Sequence, residues 1–190
     1  MTKPDVDVET TVLVVDDDDD LADTYALWLE SSGYDVRTAK GGDVALERLR
    51  PEIDVILLDR RMPKVPGDVV LREARERKGS YSVSMLTAVE PDESVADLPY
   101  DEYIVKPVTK SEVVDVTERL TLRNDIEDDL KEMFRLAMKQ STLEARDDTT
   151  MPEVEEQVQS KIQAKQQSFE KKLNALDGAT DVFSLISDDQ

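Results

Sequence analysis

The sequence contains no cysteine and no histidine. The absence of cysteine excludes disulfide bonds and thiolate chemistry. The absence of histidine excludes histidine-ligated metal sites and removes the side chain that most often serves as a general base. Chemistry on this chain therefore has to run on carboxylates, on lysine, on threonine or on a bound cation.

Long hydrophobic runs are also missing. The longest uninterrupted apolar run has five residues, Tyr25 to Leu29, whereas a membrane-spanning helix needs about 20. The first eleven residues are polar and acidic, and they lack the apolar centre of a signal peptide. We therefore expect a soluble, cytoplasmic protein that makes no contact with a membrane.

Basic side chains are in the minority. The chain has 24 Lys and Arg against 44 Asp and Glu, which gives a formal net charge of −20. The excess is spread evenly, since residues 1–119 carry 28 acids and 15 bases and residues 120–190 carry 16 and 9. At molar salt, where the Debye length is about 3 Å, the self-repulsion of such a chain is largely screened. The charge favours a halophilic protein over an ordinary acidic one.

The segment 54–63 is the most informative part of the chain. Four apolar residues, Val55 to Leu58, predict a fully buried strand, and Asp59 follows directly at its end. In parallel α/β sheets, ligands bind in a crevice at the carboxyl ends of the strands. A single aspartate in this position could equally cap a turn. Its role therefore depends on which other side chains reach the same crevice.

Strands and helices alternate along residues 11–119. Apolar runs predict strands at 11–15, 35–39, 55–58, 83–87 and 103–105, and helical patterns follow at about 21–32, 43–50, 68–78 and from 109 onwards. The segment 88–101 contains two prolines and predicts only a short or irregular helix. Short crossovers in this βα order imply an α/β fold with a doubly wound, five-stranded parallel sheet.

The predicted strands end in polar side chains that a doubly wound sheet brings into one crevice. These side chains are Asp16 and Asp17, Asp59, Thr87 and Lys106. Crowded carboxylates repel by about 4 kcal/mol per close pair at 4 Å and an effective dielectric constant of 20, unless a divalent cation shares them. Mg²⁺ fits, because it binds few carboxylates together with waters and phosphate oxygens. Asp59 can then attack a phosphoryl group, with Lys106 neutralising the product and Thr87 donating a hydrogen bond.

These residues stand in the order of a known family. Val-Val-Asp16-Asp17, Asp59-x-x-Met-Pro, Leu-Thr87-Ala88 and Tyr103-x-x-Lys106-Pro107 resemble the motifs of the receiver domain of two-component response regulators. The resemblance covers residues 11 to about 118. It implies a flavodoxin-like fold and a phosphoacceptor that is not an enzyme, phosphorylated by a partner sensor histidine kinase. Since the chain has no histidine, it cannot itself carry a phosphohistidine, and a separate donor is required.

The resemblance also implies a role for each motif residue. Asp59 resembles the phosphoacceptor, and Mg²⁺ is expected to bind Asp16, Asp17, Asp59 and the backbone carbonyl of Arg61. Thr87 and Tyr103 look like the switch pair, Lys106 like the phosphoryl-binding lysine, and the Lys106–Pro107 bond like the family's cis peptide.

Two features depart from the family pattern. The segment between Thr87 and Lys106 is about three residues shorter than in a typical receiver, which puts a regular helix there in doubt. The acidic run also continues through Asp18, Asp19 and Asp20. We interpret these three residues as the cap and first turn of the first helix and not as further metal ligands.

The composition changes at Leu120. From there to residue 177 the chain has no glycine and one proline, and Glu, Lys and Gln are frequent, which is typical of helices. Apolar spacing predicts a helical hairpin whose second arm covers about residues 151–176. The positions that set this spacing are Ile126, Leu130, Met133 and Ala137 in the first arm and Val154, Val158, Ile162, Phe169, Leu173 and Leu176 in the second.

We therefore divide the chain into a receiver domain, 1–119, and an all-α output or interaction domain, 120–190. Residues 150–153 predict a capping box that opens the second arm, and residues 181–186 predict a short third helix. Because the apolar positions of the hairpin cannot all be buried between two helices, we expect a homodimer or another docked partner.

The run from Leu130 to Glu144 resembles the HalX domain, which follows receivers in halophilic archaea. This resemblance implies transcriptional regulation through DNA binding. The net charge of −7 in residues 120–190 opposes contacts with phosphates, which need clustered Lys and Arg, although molar salt screens the repulsion. A tail that only dimerises, or that binds protein partners without DNA contact, is the alternative.

A phosphatase of the haloacid dehalogenase type is a remote alternative from a different class. Residues 13–18 superficially fit its pattern of an apolar run followed by Asp-x-Asp. That family has a threonine two positions after the second aspartate, where this chain has Asp20. The sequence therefore favours the receiver.

Overall fold

The computed structural model describes residues 10–77, 81–91, 97–144 and 152–179. The chain divides into two compact units, Met1–Thr121 and Leu122–Gln190. Among the described helices, none is long and apolar enough to cross a membrane.

A five-stranded parallel sheet forms the centre of the first unit. Its strands are β1 (Thr11–Val15), β2 (Asp35–Ala39), β3 (Val55–Leu58), β4 (Ser82–Thr87) and β5 (Glu102–Val105). They lie in the order β2-β1-β3-β4-β5, and every neighbouring pair is parallel. This architecture confirms the predicted doubly wound sheet.

The described helices are α1 (Asp19–Glu30), α2 (Gly42–Arg48), α3 (Gly67–Glu76), α4 (Lys110–Glu144) and α5 (Pro152–Ala179). The helix predicted from residue 109 onwards continues past Leu120 into the first arm of the hairpin, so that α4 is one continuous helix. No glycine or proline interrupts residues 108–144, so nothing in the sequence breaks the helix at a domain boundary.

The acidic run after β1 behaves as predicted. Asp18 is the N-cap of α1, and its side chain accepts hydrogen bonds from the backbone N–H groups of Asp20 and Leu21. Asp19 and Asp20 occupy the first turn, where a negative charge is favourable to the helix dipole.

The core lies on both faces of the sheet. On β1, Leu13 and Val15 belong to one apolar cluster and Val12 and Val14 to the other. The same alternation holds along β3, where residues 56 and 58 face one cluster and residues 55 and 57 the other. A strand covered on both faces needs apolar side chains at every position, which explains the uninterrupted run before Asp59.

Three predicted elements lie partly or wholly outside the described residues. The described residues between β4 and β5, 88–91 and 97–101, contain no helix, and the rest of that predicted irregular helix lies outside the described residues. The start of the predicted capping box at 150–151 and the third helix at 181–186 also lie outside them.

The second unit consists of α4 beyond Thr121 and of α5. Its ion pairs show that the two helices run antiparallel: Asp125 contacts Lys172, whereas Asp129, one turn later on α4, contacts both Lys172 and the earlier α5 residue Lys165. Buried or half-buried residues follow a 4-3-4-3 spacing typical of a coiled-coil seam. They are Leu122, Ile126, Asp129, Met133 and Leu136 on α4 and Val158, Ile162, Lys165, Phe169, Lys172 and Leu176 on α5.

The helical hairpin is confirmed, but its seam was partly misplaced. Leu130, predicted to be in the seam, is 53% exposed, and Ala137 is exposed as well. Asp129 takes the position between Ile126 and Met133 and is 2% exposed. The prediction followed apolar residues only, and here a buried ion pair fills one layer.

Candidate functional site

The candidate site lies at the carboxyl ends of the strands. The backbone N–H groups of Asp16, Asp59 and Lys106 donate to the carbonyls of Ala39, Val15 and Thr87, respectively. Each of these acceptors is the last residue of the neighbouring strand. The sheet's hydrogen-bond ladder therefore continues one residue beyond β1, β3 and β5. This extension fixes where each functional side chain leaves the backbone.

Three carboxylates meet at this edge. Asp16, Asp17 and Asp59 each offer an oxygen, and these atoms all lie within 4.8 Å of one another. Asp16 is buried, Asp59 is half-buried and Asp17 is exposed. The cluster is thus anchored in the sheet on one side and open to solvent on the other, so an ion or a small ligand can reach it.

Lys106 contacts two of the three carboxylates. Its Nζ lies 2.6 Å from Asp16 Oδ2 and 3.1 Å from Asp59 Oδ2, and the side chain is 10% exposed. The Tyr25 ring lies beneath the ammonium group, 5.9 Å from Nζ to the ring centroid. The peptide bond between Lys106 and Pro107 is cis, as predicted.

The pKa values of the buried pair describe its charge balance. Burial raises the pKa of Asp16, and the hydrogen bonds from Lys106 and from the Asp18 N–H only partly offset this effect. Burial lowers the pKa of Lys106, but the bond to Asp16 and the charges of Asp59 and Asp16 outweigh burial and raise it. Lys106 thus remains charged between Asp16 and Asp59, and it is the one ammonium group that faces both of these carboxylates among the described residues.

The donor set fits a hard divalent cation. Carboxylate oxygens are the ligands that Mg²⁺ prefers, and it binds through few protein groups while keeping several waters. Three acids against one lysine leave a formal charge of −2 among these four side chains, which such an ion neutralises. Asp18, Asp19 and Asp20 take no part in the carboxylate group that the described residues form.

Residues 12–118, more than half of the chain, match the family described as "Response regulator receiver domain". The chain belongs to this family. Receiver domains bind Mg²⁺ at an acidic pocket and are phosphorylated by sensor histidine kinases, so family membership agrees with the acidic cluster and sets aside the phosphatase interpretation of residues 13–18.

Three relatives show how far the likeness extends. A Haloferax volcanii protein named "Putative transcriptional regulator" is 47% identical over 158 residues, 82% of this chain and 27% of that protein. The alkaline phosphatase synthesis transcriptional regulatory protein PhoP of Bacillus subtilis is 34% identical over 119 residues, 60% of this chain and 50% of PhoP. The crystal structure of response regulator protein TrrA from Thermotoga maritima, in complex with Mg²⁺-BeF, has a TM-score of 0.51 and 30% identity, covering 58% of this chain and 98% of that one.

The chain spans half or less of the length of these two curated relatives. The alignment with the Haloferax protein is longer than the whole first unit of this chain. The likeness therefore continues beyond the receiver domain into the second unit.

The predicted switch pair is connected through one loop residue. Thr87, the last residue of β4, is fully buried, and its Oγ1 accepts a hydrogen bond of 3.4 Å from the Val89 N–H. The Tyr103 hydroxyl donates to the Val89 carbonyl at 2.7 Å. Both side chains of the predicted switch pair thus contact the same residue, Val89, of the β4–β5 connection.

Sequence reasoning missed two side chains at this site. Tyr25 follows Leu21 and precedes Leu29 at intervals of four residues, as a tyrosine on the packed face of a helix does, and this spacing gives no sign that the ring lies under Lys106. Arg60 was given no role, although its side chain is 11% exposed and forms an ion pair of 3.1 Å with Asp68. Neither residue belongs to a motif, and only the tertiary structure brings their partners to them.

Proposed function

We propose that this receiver domain is phosphorylated on Asp59 by a sensor histidine kinase in the presence of Mg²⁺, and that phosphorylation switches the output of the helical unit in transcriptional regulation. The observation that carries the proposal is the pair of hydrogen bonds from Lys106 to Asp16 and Asp59 within a cluster of three carboxylates. A structural salt bridge needs one carboxylate, and the other two acids call for a ligand.

Asp16, Asp17 and Asp59 would hold the Mg²⁺, together with the Arg61 backbone carbonyl as the family resemblance implies. When bound, the ion offsets the charge of the acids and of the incoming phosphoryl oxygens. Asp59 accepts from the Arg61 N–H through Oδ1 at 3.2 Å and from Lys106 through Oδ2. These two bonds hold the carboxylate so that one oxygen can attack phosphorus.

The transfer breaks the P–N bond of the donor phosphohistidine while the Asp59 O–P bond forms. The electron pair of the broken P–N bond stays on the leaving imidazole nitrogen, which takes up a proton from water. Lys106 then stabilises the product through a charge-assisted hydrogen bond. Thr87 Oγ1 accepts a hydrogen bond from Val89, and its hydroxyl group can donate its own proton to a phosphoryl oxygen. This donation would draw Thr87 towards Asp59 and change its bond to the loop.

The direct test is incubation of the full chain with acetyl phosphate and Mg²⁺, followed by a Phos-tag gel. We expect one slower band that disappears after acid treatment, because acyl phosphates are labile. Incubation without Mg²⁺ should give little of this band. Absence of the band at every Mg²⁺ concentration would contradict the proposal. The named relatives support the assignment, since TrrA is described in complex with Mg²⁺-BeF.

Mg²⁺ affinity should depend on Asp17 and not on Asp20. Asp17→Asn removes one of three clustered carboxylates and should weaken Mg²⁺ binding roughly tenfold or more, which corresponds to about 1.4 kcal/mol. Asp20→Asn is the matched control, because Asp20 lies in the exposed first turn of α1. Calorimetric titration with Mg²⁺ measures both variants. An equal loss in the two would show that the acidic run acts as a whole.

For the output we propose association with a protein surface, most simply a second copy, over DNA binding. Three cations on α4 are paired with acids on the same helix: Arg123 with Glu127, Lys131 with Asp128 and Arg135 with Glu132. Such pairing removes the free positive charge that phosphate contacts need. The names of the Haloferax protein and of PhoP favour regulation of transcription, so a gel-shift assay at several salt concentrations tests the DNA alternative.

The surface proposed for association is an apolar stripe on α4. Leu130, Phe134 and Met138 follow one another at intervals of four residues and are 53%, 71% and 56% exposed. In high salt, the full chain should show a dimer-sized species by light scattering, and Phe134→Glu should shift it towards monomer. Val69→Glu on α3, 45% exposed, is the control that should change nothing. A strict monomer at high protein concentration, phosphorylated or not, would refute the association.

A further inference from the structure

We propose that Tyr25 is a positioning residue for Lys106. The face of its ring holds the ammonium group within reach of Asp16 and Asp59, and it keeps this contact while the hydrogen bonds of the ammonium group change partners. The contact itself does not require phosphate. Its effect on phosphorylation rests on the function proposed above.

The first observation is the surroundings of the Lys106 ammonium group. The side chain is 10% exposed, and Nζ lies 2.6 Å from Asp16 Oδ2 and 3.1 Å from Asp59 Oδ2. Nζ also lies over the Tyr25 ring, 5.9 Å from its centroid. A cation within about 6 Å of a ring centroid is attracted by the negative face of the ring, and the attraction is stronger where water is excluded. The ring is therefore a third partner of the ammonium group.

The second observation is that the Tyr25 ring is fixed in place. Its side chain is 3% exposed and belongs to the apolar cluster between α1 and the sheet. The Trp28 ring packs against it, with the two centroids 5.5 Å apart and the planes at 52°. The N-cap of the same helix, Asp18, donates its backbone N–H to Asp16 Oδ1 at 3.0 Å. The helix that carries Tyr25 is thus joined directly to one of the carboxylates that Lys106 contacts.

The ring contact differs in kind from the two ion pairs. The ion pairs are stronger, but hydrogen bonds depend on direction. Phosphorylation of Asp59 replaces one acceptor of Lys106 by a phosphoryl group, so the ammonium group has to turn. Attraction to a ring face does not depend on where each N–H points, because it acts between the charge and the quadrupole of the ring. Tyr25 can therefore hold Lys106 at the site while its hydrogen bonds exchange.

Packing alone does not call for a tyrosine at this position. The residues four positions before and after it, Leu21 and Leu29, are leucines on the same face of α1. A leucine at position 25 would also fill apolar space, but it would place a buried ammonium group against a surface that cannot attract a cation. The property that matters is therefore the aromatic face.

Three variants separate the ring from its volume. Tyr25→Leu keeps an apolar side chain and removes the ring, whereas Tyr25→Phe keeps the ring and removes the hydroxyl group. Tyr34→Leu is the matched control, because Tyr34 packs against the same apolar cluster. It removes a second tyrosine ring from this unit and leaves the contact between Tyr25 and Lys106 intact.

The first test follows Lys106 by NMR in the full chain, labelled with lysine carrying ¹³C at Cε, without phosphodonor. The Lys106 signal is the one that Lys106→Arg removes. Because a ring shifts the resonances of protons near its face, we expect this signal to move in Tyr25→Leu, to lie close to its wild-type position in Tyr25→Phe and to stay in place in Tyr34→Leu. An unmoved signal in Tyr25→Leu, an equal shift in Tyr34→Leu, or a shift as large in Tyr25→Phe as in Tyr25→Leu overturns the proposal.

The second test measures the rate at which acetyl phosphate labels the chain in the presence of Mg²⁺. The rate should fall about two- to tenfold in Tyr25→Leu and stay close to that of the wild type in Tyr25→Phe, as expected for the loss of one cation–π contact. Phenylalanine with one, two and three ring fluorines is then placed at position 25. Fluorination weakens the negative face of the ring and keeps its shape, so the rate should fall stepwise with each fluorine. Equal rates along this series overturn a role for the ring face, even if Tyr25→Leu does not fold.

The two tests also separate this inference from the proposed function. If the wild type takes up no phosphate while the Lys106 signal responds as expected, the proposed function fails and the contact between Tyr25 and Lys106 stands. If the wild type is labelled on Asp59 and neither the signal nor the rate responds to the loss of the ring, the proposed function stands and the positioning role of Tyr25 is refuted.

Discussion

Replacement of Asp59 by asparagine is expected to abolish the acid-labile phosphate on this chain. Asparagine keeps the size of the side chain and can still accept from the Arg61 N–H, but its amide cannot attack phosphorus to give an acyl phosphate. It also removes the negative charge that Lys106 faces at 3.1 Å. Labelling with acetyl phosphate should therefore fall by at least about 100-fold, to the background of the assay.

Two other aspartates, Asp16 in the cluster and Asp20 outside it, show why labelling is expected at Asp59. Asp16 accepts hydrogen bonds from Lys106 and from the Asp18 N–H and is only 2% exposed, so a phosphodonor cannot approach it and it cannot substitute for Asp59. Asp20→Asn should label like the wild type, because Asp20 is exposed in the first turn of α1. Phos-tag gels of the wild type, Asp59→Asn and Asp20→Asn, run under one set of conditions, show which aspartate is labelled. An Asp59→Asn protein that labels as well as the wild type would show that the phosphoacceptor lies elsewhere.

The fold and the position of the site could be predicted because both follow from local signals. An apolar run such as Val55 to Leu58 has to be buried on both faces, and parallel strands deliver their last residues to one edge. Asp16, Asp59 and Lys106 each follow such a run, so their meeting required no knowledge of side-chain contacts. Asp18 could be assigned as a cap for the same reason, since capping depends on neighbouring residues only.

The residues that were missed depend on long-range contacts. Arg60 pairs with Asp68 on the helix that follows, and Tyr25 lies beneath a lysine 81 positions later in the chain. Nothing in the spacing of either residue differs from that of a surface arginine or a packed tyrosine. Asp129 is the clearest case, because an aspartate between apolar neighbours predicts an exposed position unless its two lysine partners are known.

Removal of the Asp129 carboxylate is expected to cause the largest loss of stability in the helical unit. Asp129 accepts from Lys165 at 2.8 Å, Lys172 at 2.7 Å and Ser168 at 3.0 Å, and its side chain is 4% exposed. Breaking a buried pair from one side typically costs about 3–5 kcal/mol. Because Lys165 is 41% exposed and Lys172 24% exposed, solvent relieves part of this cost, and we expect about 2–3 kcal/mol for Asp129→Ala.

The neighbouring aspartate is a matched control. Asp128 is 73% exposed and pairs with Lys131 one turn along the same helix, so Asp128→Ala should change stability by less than about 0.5 kcal/mol. Hydrogen exchange of the α5 amides reads the opening of this unit without assuming that the whole chain unfolds in one step. Equal protection of α5 in the two variants would show that the ion pair is not what joins the helices.

The contribution of Asp129 should also depend on pH in a defined direction. Burial raises the pKa of Asp129, but the hydrogen bonds from Lys165, Lys172 and Ser168 outweigh burial and hold the pKa below its ordinary value. A carboxyl group with a lowered folded pKa stabilises the protein fully above its unfolded pKa of about 3.9, and this contribution is lost as the pH falls through the folded pKa.

The other carboxylates of the chain titrate in the same range, so the informative quantity is the difference in unfolding free energy between wild type and Asp129→Asn. This difference should be constant from pH 7 to about 5 and should shrink towards zero below about pH 4, when the wild-type carboxylate also becomes neutral. Urea titration of the helical signal at each pH gives the difference, and a value that stays the same down to pH 3 would mean that Asp129 stabilises the hairpin through packing and not through its charge.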